Sequence, residues 1–189
     1  HLDSALGRSS KGDGDVAAST GKRTGDFACL AIIGRSSSGL MILAETWVRR
    51  ATPSEQVRAL FDLHQLYRFE RVGVEGTGFQ ELLSHPIEEE RRQRRLAGQH
   101  FEISVEFTKP ARKKELRIAA LEPLLASGRL VLAENLHEEF WRELVDFPSV
   151  AHDDALDASA GAADWAMQNH SMGTESVRRI ARKRNQRRL

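Results

Sequence analysis

The period of apolar positions changes several times along the chain, and each change marks an element. Residues 27–34 form an apolar run too short for a helix, which predicts a buried strand. Residues 35–39 turn it back into a second strand over 40–48, making a hairpin. Thr52-Pro53-Ser54-Glu55 reads as a helix start, with a hydroxyl cap, proline at the first helical position and glutamate three after the cap. Val57, Leu60, Phe61, His64 and Tyr67 then recur at helical spacing. Residues 71–75 (RVGVE) predict a short central strand that Gly76-Thr77-Gly78 ends before another helix starts near Phe79. Within residues 88–95 (EEERRQRR), Glu88 with Arg92 and Glu90 with Arg94 stand four apart, as on a solvated helix face.

Further along, alternation over residues 101–107 predicts a strand, and 109–121 a helix that Pro123 stops or kinks. A short strand over 129–133, a short helix over 137–145 and a final Ala-rich helix over 152–168 complete the pattern. Strands alternating with helices behind an opening hairpin give a mixed α/β, three-layer domain. Residues 4–25, with Gly7, Gly12, Gly14, Gly21 and Gly25, predict a long mobile loop.

Composition adds three constraints. A chain of 189 residues, 40% hydrophobic and 29% charged, suits one soluble core plus a tail, here 1–168 and 169–189. The single Cys29 lies in an apolar run, so no internal disulfide framework is expected. With neither a long apolar stretch nor a signal-like N-terminus, the cytoplasm is the expected compartment. The net charge of +1 conceals an asymmetry: residues 178–189 hold seven of the 28 Lys and Arg and no acid. That leaves 21 bases against 27 acids, or −6, in the remainder. An acidic body with a basic tail points to a polyanion partner at the tail and a cation site in the body.

Three acidic positions fall on separate elements: Asp3 at the end of a first strand, Glu75 at the end of a central strand, and Asp154 with Asp157 on one face of the last helix. Phosphodiester hydrolysis with two hard cations needs several carboxylates converging from different elements. Taken singly, each of these acids reads as well as a helix cap or a loop acid. Gly21-Lys22-Arg23-Thr24 is no phosphate loop, because Val16 occupies the first glycine position and Arg23 follows the lysine. Trp47, Trp141 and Trp165 read as packing, and His64 as a core or boundary histidine.

The order of these segments resembles the C-terminal nuclease domain of the large terminase subunit of tailed double-stranded DNA phages. The matching features are Asp3-Ser4-Ala5, then Gly25-Asp26-Phe27-Ala28, Val74-Glu75-Gly76-Thr77-Gly78-Phe79-Gln80, Lys109-Pro110-Ala111-Arg112, and Phe147-Pro148 with His152-Asp153-Asp154-Ala155-Leu156-Asp157-Ala158. The resemblance implies a ribonuclease H-like fold, two divalent cations (Mg²⁺ or Mn²⁺), and cleavage of concatemeric viral DNA during genome packaging. By position it assigns Asp3, Glu75 and Asp154 as catalytic metal-binding carboxylates and Asp157 as a fourth ligand. Asp13, Asp15 and Asp26 compete with Asp3 for the first place. It also implies an upstream ATPase domain, portal and small-subunit partners, and the cytoplasm of a bacterial host. Lys109 and Arg112, together with Arg182, Lys183 and Arg184 of the tail, are the expected contacts to double-stranded DNA, the tail reading equally as a disordered linker to the portal or another packaging protein. The competing readings are another ribonuclease H-like nuclease, such as a junction resolvase, and a non-enzymatic DNA-binding packaging module.

Overall fold

The computed structural model describes residues 2–7, 27–69, 71–75, 79–101, 103–108 and 112–168. Its strands are β1 (Leu2–Gly7), β2 (Ala28–Arg35), β3 (Met41–Arg49), β4 (Arg71–Glu75), β5 (Ser104–Thr108) and β6 (Leu130–Leu132). They form one sheet in the order β5-β4-β1-β2-β3-β6. The neighbours β1–β2 and β2–β3 are antiparallel, while β4 runs parallel to both β1 and β5, and β6 parallel to β3. The sheet is therefore mixed, and the expected hairpin is β2–β3, which follows β1 in the chain.

Helices cover both faces: α1 (Pro53–Tyr67), α2 (Phe79–Leu96), α3 (Lys114–Ala119), α4 (Leu121–Ala126), α5 (Glu138–Asp146) and α6 (Asp154–Gln168). β2 shows why there are three layers. Its side chains alternate between two cores, Cys29, Ala31 and Ile33 joining α3 to α6, and Leu30 and Ile32 joining α1 and α2. Burial on both sides makes β2 a continuous apolar run. α1 starts as its sequence dictates, with a reciprocal capping box between Thr52 and Glu55 and proline in the first turn. No helix among the described residues is long and apolar enough to cross a membrane.

Several boundaries differ from the sequence pattern. The first strand does not end near Asp3 but runs on to Gly7, taking residues assigned to the loop; residues 8–26 lie outside the described set. The fifth strand starts at Ser104, not at residue 101; Phe101 and Ile103 pack ahead of it on the core shared with α1 and α2. The helix expected over 109–121 is two short ones, and Pro123 does not stop a helix. It is the third residue of α4, within the first turn, where no intrahelical N–H bond is lost. On α2 the pairing is Glu88 with Arg91, Glu89 with Arg92 and Glu90 with Arg94.

Candidate functional site

α6 is rich in small residues, and Ala155, Ala158, Ala160, Ala162, Ala163 and Ala166 are all buried. Small side chains let it lie close against the sheet. A Cβ on Gly161 would stand 3.0 Å from Glu75 Oε1, and one on Gly73 would stand 3.3 Å from the Trp165 ring. Gly161 thus faces the end of β4 and Trp165 its middle, so α6 runs antiparallel to β4. Its first turn, with Asp154 and Asp157, projects past the carboxyl edge of the sheet, where open α/β sheets place their ligand sites.

Three of the sequence-predicted acids meet there. Glu75 ends β4, and Asp154 and Asp157 are both buried, at 3% and 6% exposed. Two basic residues of α3 hold them. Arg117 donates from Nη1 to Glu75 Oε2 at 2.6 Å, from Nε to Asp157 Oδ1 at 3.1 Å, and from Nη2 to the same Asp157 oxygen. Lys114 Nζ lies 2.6 Å from Asp153 Oδ1, 3.7 Å from Asp154 Oδ1 and 3.8 Å from Asp157 Oδ2. Burial opposes the charge of both bases, but their carboxylate partners outweigh it and hold both above their usual values. Burial also pushes the Glu75 carboxyl up, with Asp157 and Asp164 adding to the rise against the pull of Arg117.

A third buried group supports the helix start. Glu143 on α5 is 1% exposed and accepts from the N–H of Ala155 at 3.3 Å and of Leu156 at 2.8 Å. It thereby satisfies donors that the first turn of α6 leaves open. Burial, with Asp154 and Glu139 nearby, raises its carboxyl to about 7 against the pull of those two N–H groups. Cys29 lies buried on the same core; burial first, then Asp154 and Glu143, push its thiol well above the usual range.

Asp3 is placed elsewhere. On β1 it is level with Arg71, the first residue of β4, four residues from the level of Glu75 and so about 13 Å along the strand. Arg71 stacks over Trp165, so that level belongs to the far part of α6, eight residues or about 12 Å from Asp157. The β1 residue nearest the level of Glu75 is Gly7, and Asp13, Asp15 and Asp26, beyond it in sequence, lie outside the described residues. So do Lys109, Arg182, Lys183 and Arg184, whereas Arg112 stands exposed just ahead of α3. His152 is exposed, its ring edge-on to Phe27.

Sequence reasoning missed Lys114, Arg117 and Glu143. Lys114-x-x-Arg117 repeats the spacing of Lys109-x-x-Arg112 five residues later, and the buried Ile118 beside it marks the copy that docks on the core. Glu143 stands three residues after the buried Phe140, an acid on the apolar face of its own helix.

A mixed sheet covered on both faces, with acidic residues gathered at the carboxyl edge under the last helix, is a ribonuclease H-like arrangement. The family model of the terminase RNaseH-like domain matches residues 14–170, and the chain belongs to that family. Membership supports a nuclease, as the sequence implied. The human cytomegalovirus terminase nuclease domain is similar in structure, with a TM-score of 0.56 and 13% identity over 87% of this chain and 82% of that one. A Mn-soaked, inhibitor-bound structure of the same viral domain matches at 0.56 and 14%, over 86% and 81%. No curated protein sequence matches the chain.

Two outcomes follow from this geometry. Gly161→Ala gains up to about 1 kcal/mol as a helix-interior residue, offset by crowding of the Glu75 carboxylate that Arg117 holds, so the net stability should change little. Its methyl would nonetheless displace the Glu75 carboxylate, so nuclease activity should fall while the urea midpoint holds; a fully active variant would remove Glu75 from the site. Because the folded-state value of Glu143 is raised, its contribution is complete below the ordinary value of 4.5 and is lost as pH rises through about 7. Thermal melts of Glu143→Gln should therefore drop less between pH 5.5 and 8.5 than those of the parent, and equal drops would assign that pH dependence to other groups.

Proposed function

We propose that this domain is a divalent-metal-dependent DNA endonuclease that cuts concatemeric viral DNA during packaging. The observation that carries the reading is the meeting of Glu75, Asp154 and Asp157, from the central sheet and the last helix, in a terminase-family fold. Among the described residues no group of three His, Cys, Asp or Glu is disposed to hold a metal ion. The donor set nonetheless fits a hard cation, since all three side chains offer carboxylate oxygens and Gly161 leaves Glu75 Oε1 room. When bound, a pair of Mg²⁺ or Mn²⁺ ions supplies an activated water and stabilises the departing 3′ oxygen.

The chain's own residues then hold and orient. Glu75, Asp154 and Asp157 are the proposed ligands, and Glu143 fixes the first turn of α6 so that the aspartates face inward. The first-strand ligand is best sought past Gly7, among Asp13, Asp15 and Asp26. The register of Asp3 supports that search, and Asp15 and Asp26 lie within the family match over residues 14–170. Lys109, Arg112 and the tail residues Arg182, Lys183 and Arg184 are proposed to neutralise backbone phosphates of double-stranded DNA, with residues 169–189 as a tail outside the nuclease body. An upstream ATPase domain, portal and small-subunit partners, and the cytoplasm of a bacterial host complete the proposal.

Plasmid incubated with the domain should be nicked or cut with Mn²⁺ or Mg²⁺ and left intact in EDTA. Asp154→Ala and Glu75→Ala should each abolish cleavage and keep the fold. Asp153→Ala should cost less, because its side chain is 28% exposed and points to Lys114 while that of Asp154 is 3% exposed. Cleavage that persists in EDTA would end the metal reading, and equal losses at 153 and 154 would mean that the wrong aspartate is assigned.

A further inference from the structure

A buried guanidinium needs negative partners, and Arg117 has taken two that a metal ion would need. Its side chain is 5% exposed, and its partners Glu75 and Asp157 are 17% and 7% exposed. Three of its N–H groups face one oxygen of each carboxylate, joining the end of β4 to the first turn of α6. We infer that Arg117 is the resident counter-cation of the site: it holds Glu75 and Asp157 in place of a metal ion, and a metal ion binds only as the guanidinium withdraws. The inference rests on the metal-ion reading above and adds a control on when the site loads.

Three observations support an exchange. First, the group lying between Glu75 and Asp157 is itself a cation, bonded to one oxygen of each. Like charges this close need a counter-charge in every state of the protein, since an unpaired buried carboxylate is strongly destabilising. Second, the charges limit how many cations the site can hold while its bases stay in place. Glu75, Asp153, Asp154 and Asp157 carry four negative charges and Lys114 with Arg117 two positive ones. One divalent ion would balance that deficit of two, and the second ion of a pair would turn it into an excess that withdrawal of the guanidinium relieves.

Third, α3 is lightly anchored. It has six residues, its N-cap Lys113 makes no side-chain cap bond, Leu116 is 64% exposed, and of its side chains only Arg117 and Ile118 are buried. A turn of the Arg117 side chain, or a shift of this short helix that also loosens Lys114 from the start of α6, would move the guanidinium while the sheet stays fixed.

The test is a Mn²⁺ titration followed by the electron paramagnetic resonance of free Mn²⁺, with thermal melts in parallel. The proteins are the parent, Arg117→Gln, Arg117→Lys and Asp154→Asn. Without metal, Arg117→Gln should melt below the parent, because two buried carboxylates lose their partner. With Mn²⁺ it should recover and bind the ion about tenfold or more tightly than the parent. Arg117→Lys keeps the charge but cannot bridge two carboxylates in the same way, so its affinity should fall between; it decides the question if the glutamine variant does not fold. Equal or weaker Mn²⁺ binding by the Arg117 variants, with Asp154→Asn still lowering it, would overturn the counter-cation role alone. Binding unchanged by Asp154→Asn would overturn the metal reading as well.

Discussion

Negative charge buried at the carboxyl edge of the sheet is the constraint on which the site is built. Asp154 and Asp157 are nearly inaccessible, and Glu75 joins them from the end of a central strand. Desolvated carboxylates at close range repel one another and cannot remain ionised without compensation. Lys114 and Arg117 supply it through charge, and Glu143 supports the same helix start by accepting two backbone N–H groups. A cluster held by opposite charge is also one that a cation can enter, so the basic residues that stabilise the site and the ions that the proposed chemistry requires draw on the same carboxylates.

The closeness of α6 to the sheet makes this crowding possible. Its alanines and Gly161 remove the bulk that would keep an ordinary helix farther off. Trp165, stacked on Gly73 and beneath Arg71, fixes the far part of the helix and sets how far the first turn reaches past β4. The aspartates are thus positioned by packing some distance from themselves. α1 and α2 on the opposite face contribute through the shared strands, whose alternating side chains belong to both cores.

Much of the fold was legible in the sequence because its signals are local. The capping box at Thr52, the doubly buried run of β2 and the short strand ending in Glu75 are each written within a few neighbouring residues. Glu75, Asp154 and Asp157 were equally legible, since a strand end and an i, i+3 pair fix where a side chain can point. What was not legible depends on register and long-range pairing. Whether Asp3 reaches Glu75 is decided by its alignment with Arg71, which no local pattern encodes. Arg117 pairs with residues 42 positions earlier and 40 later, so a second Lys-x-x-Arg looked no different from the first.

The most direct test of this account is anomalous diffraction from crystals of the domain soaked in Mn²⁺. The account predicts a peak within about 2.0–2.6 Å of carboxylate oxygens of Glu75 and of Asp154 or Asp157, the range of hard cation–oxygen contacts, with the Arg117 guanidinium withdrawn from at least one of its two partners. Anomalous density confined to other parts of the molecule, with Arg117 still bridging Glu75 and Asp157, would contradict it.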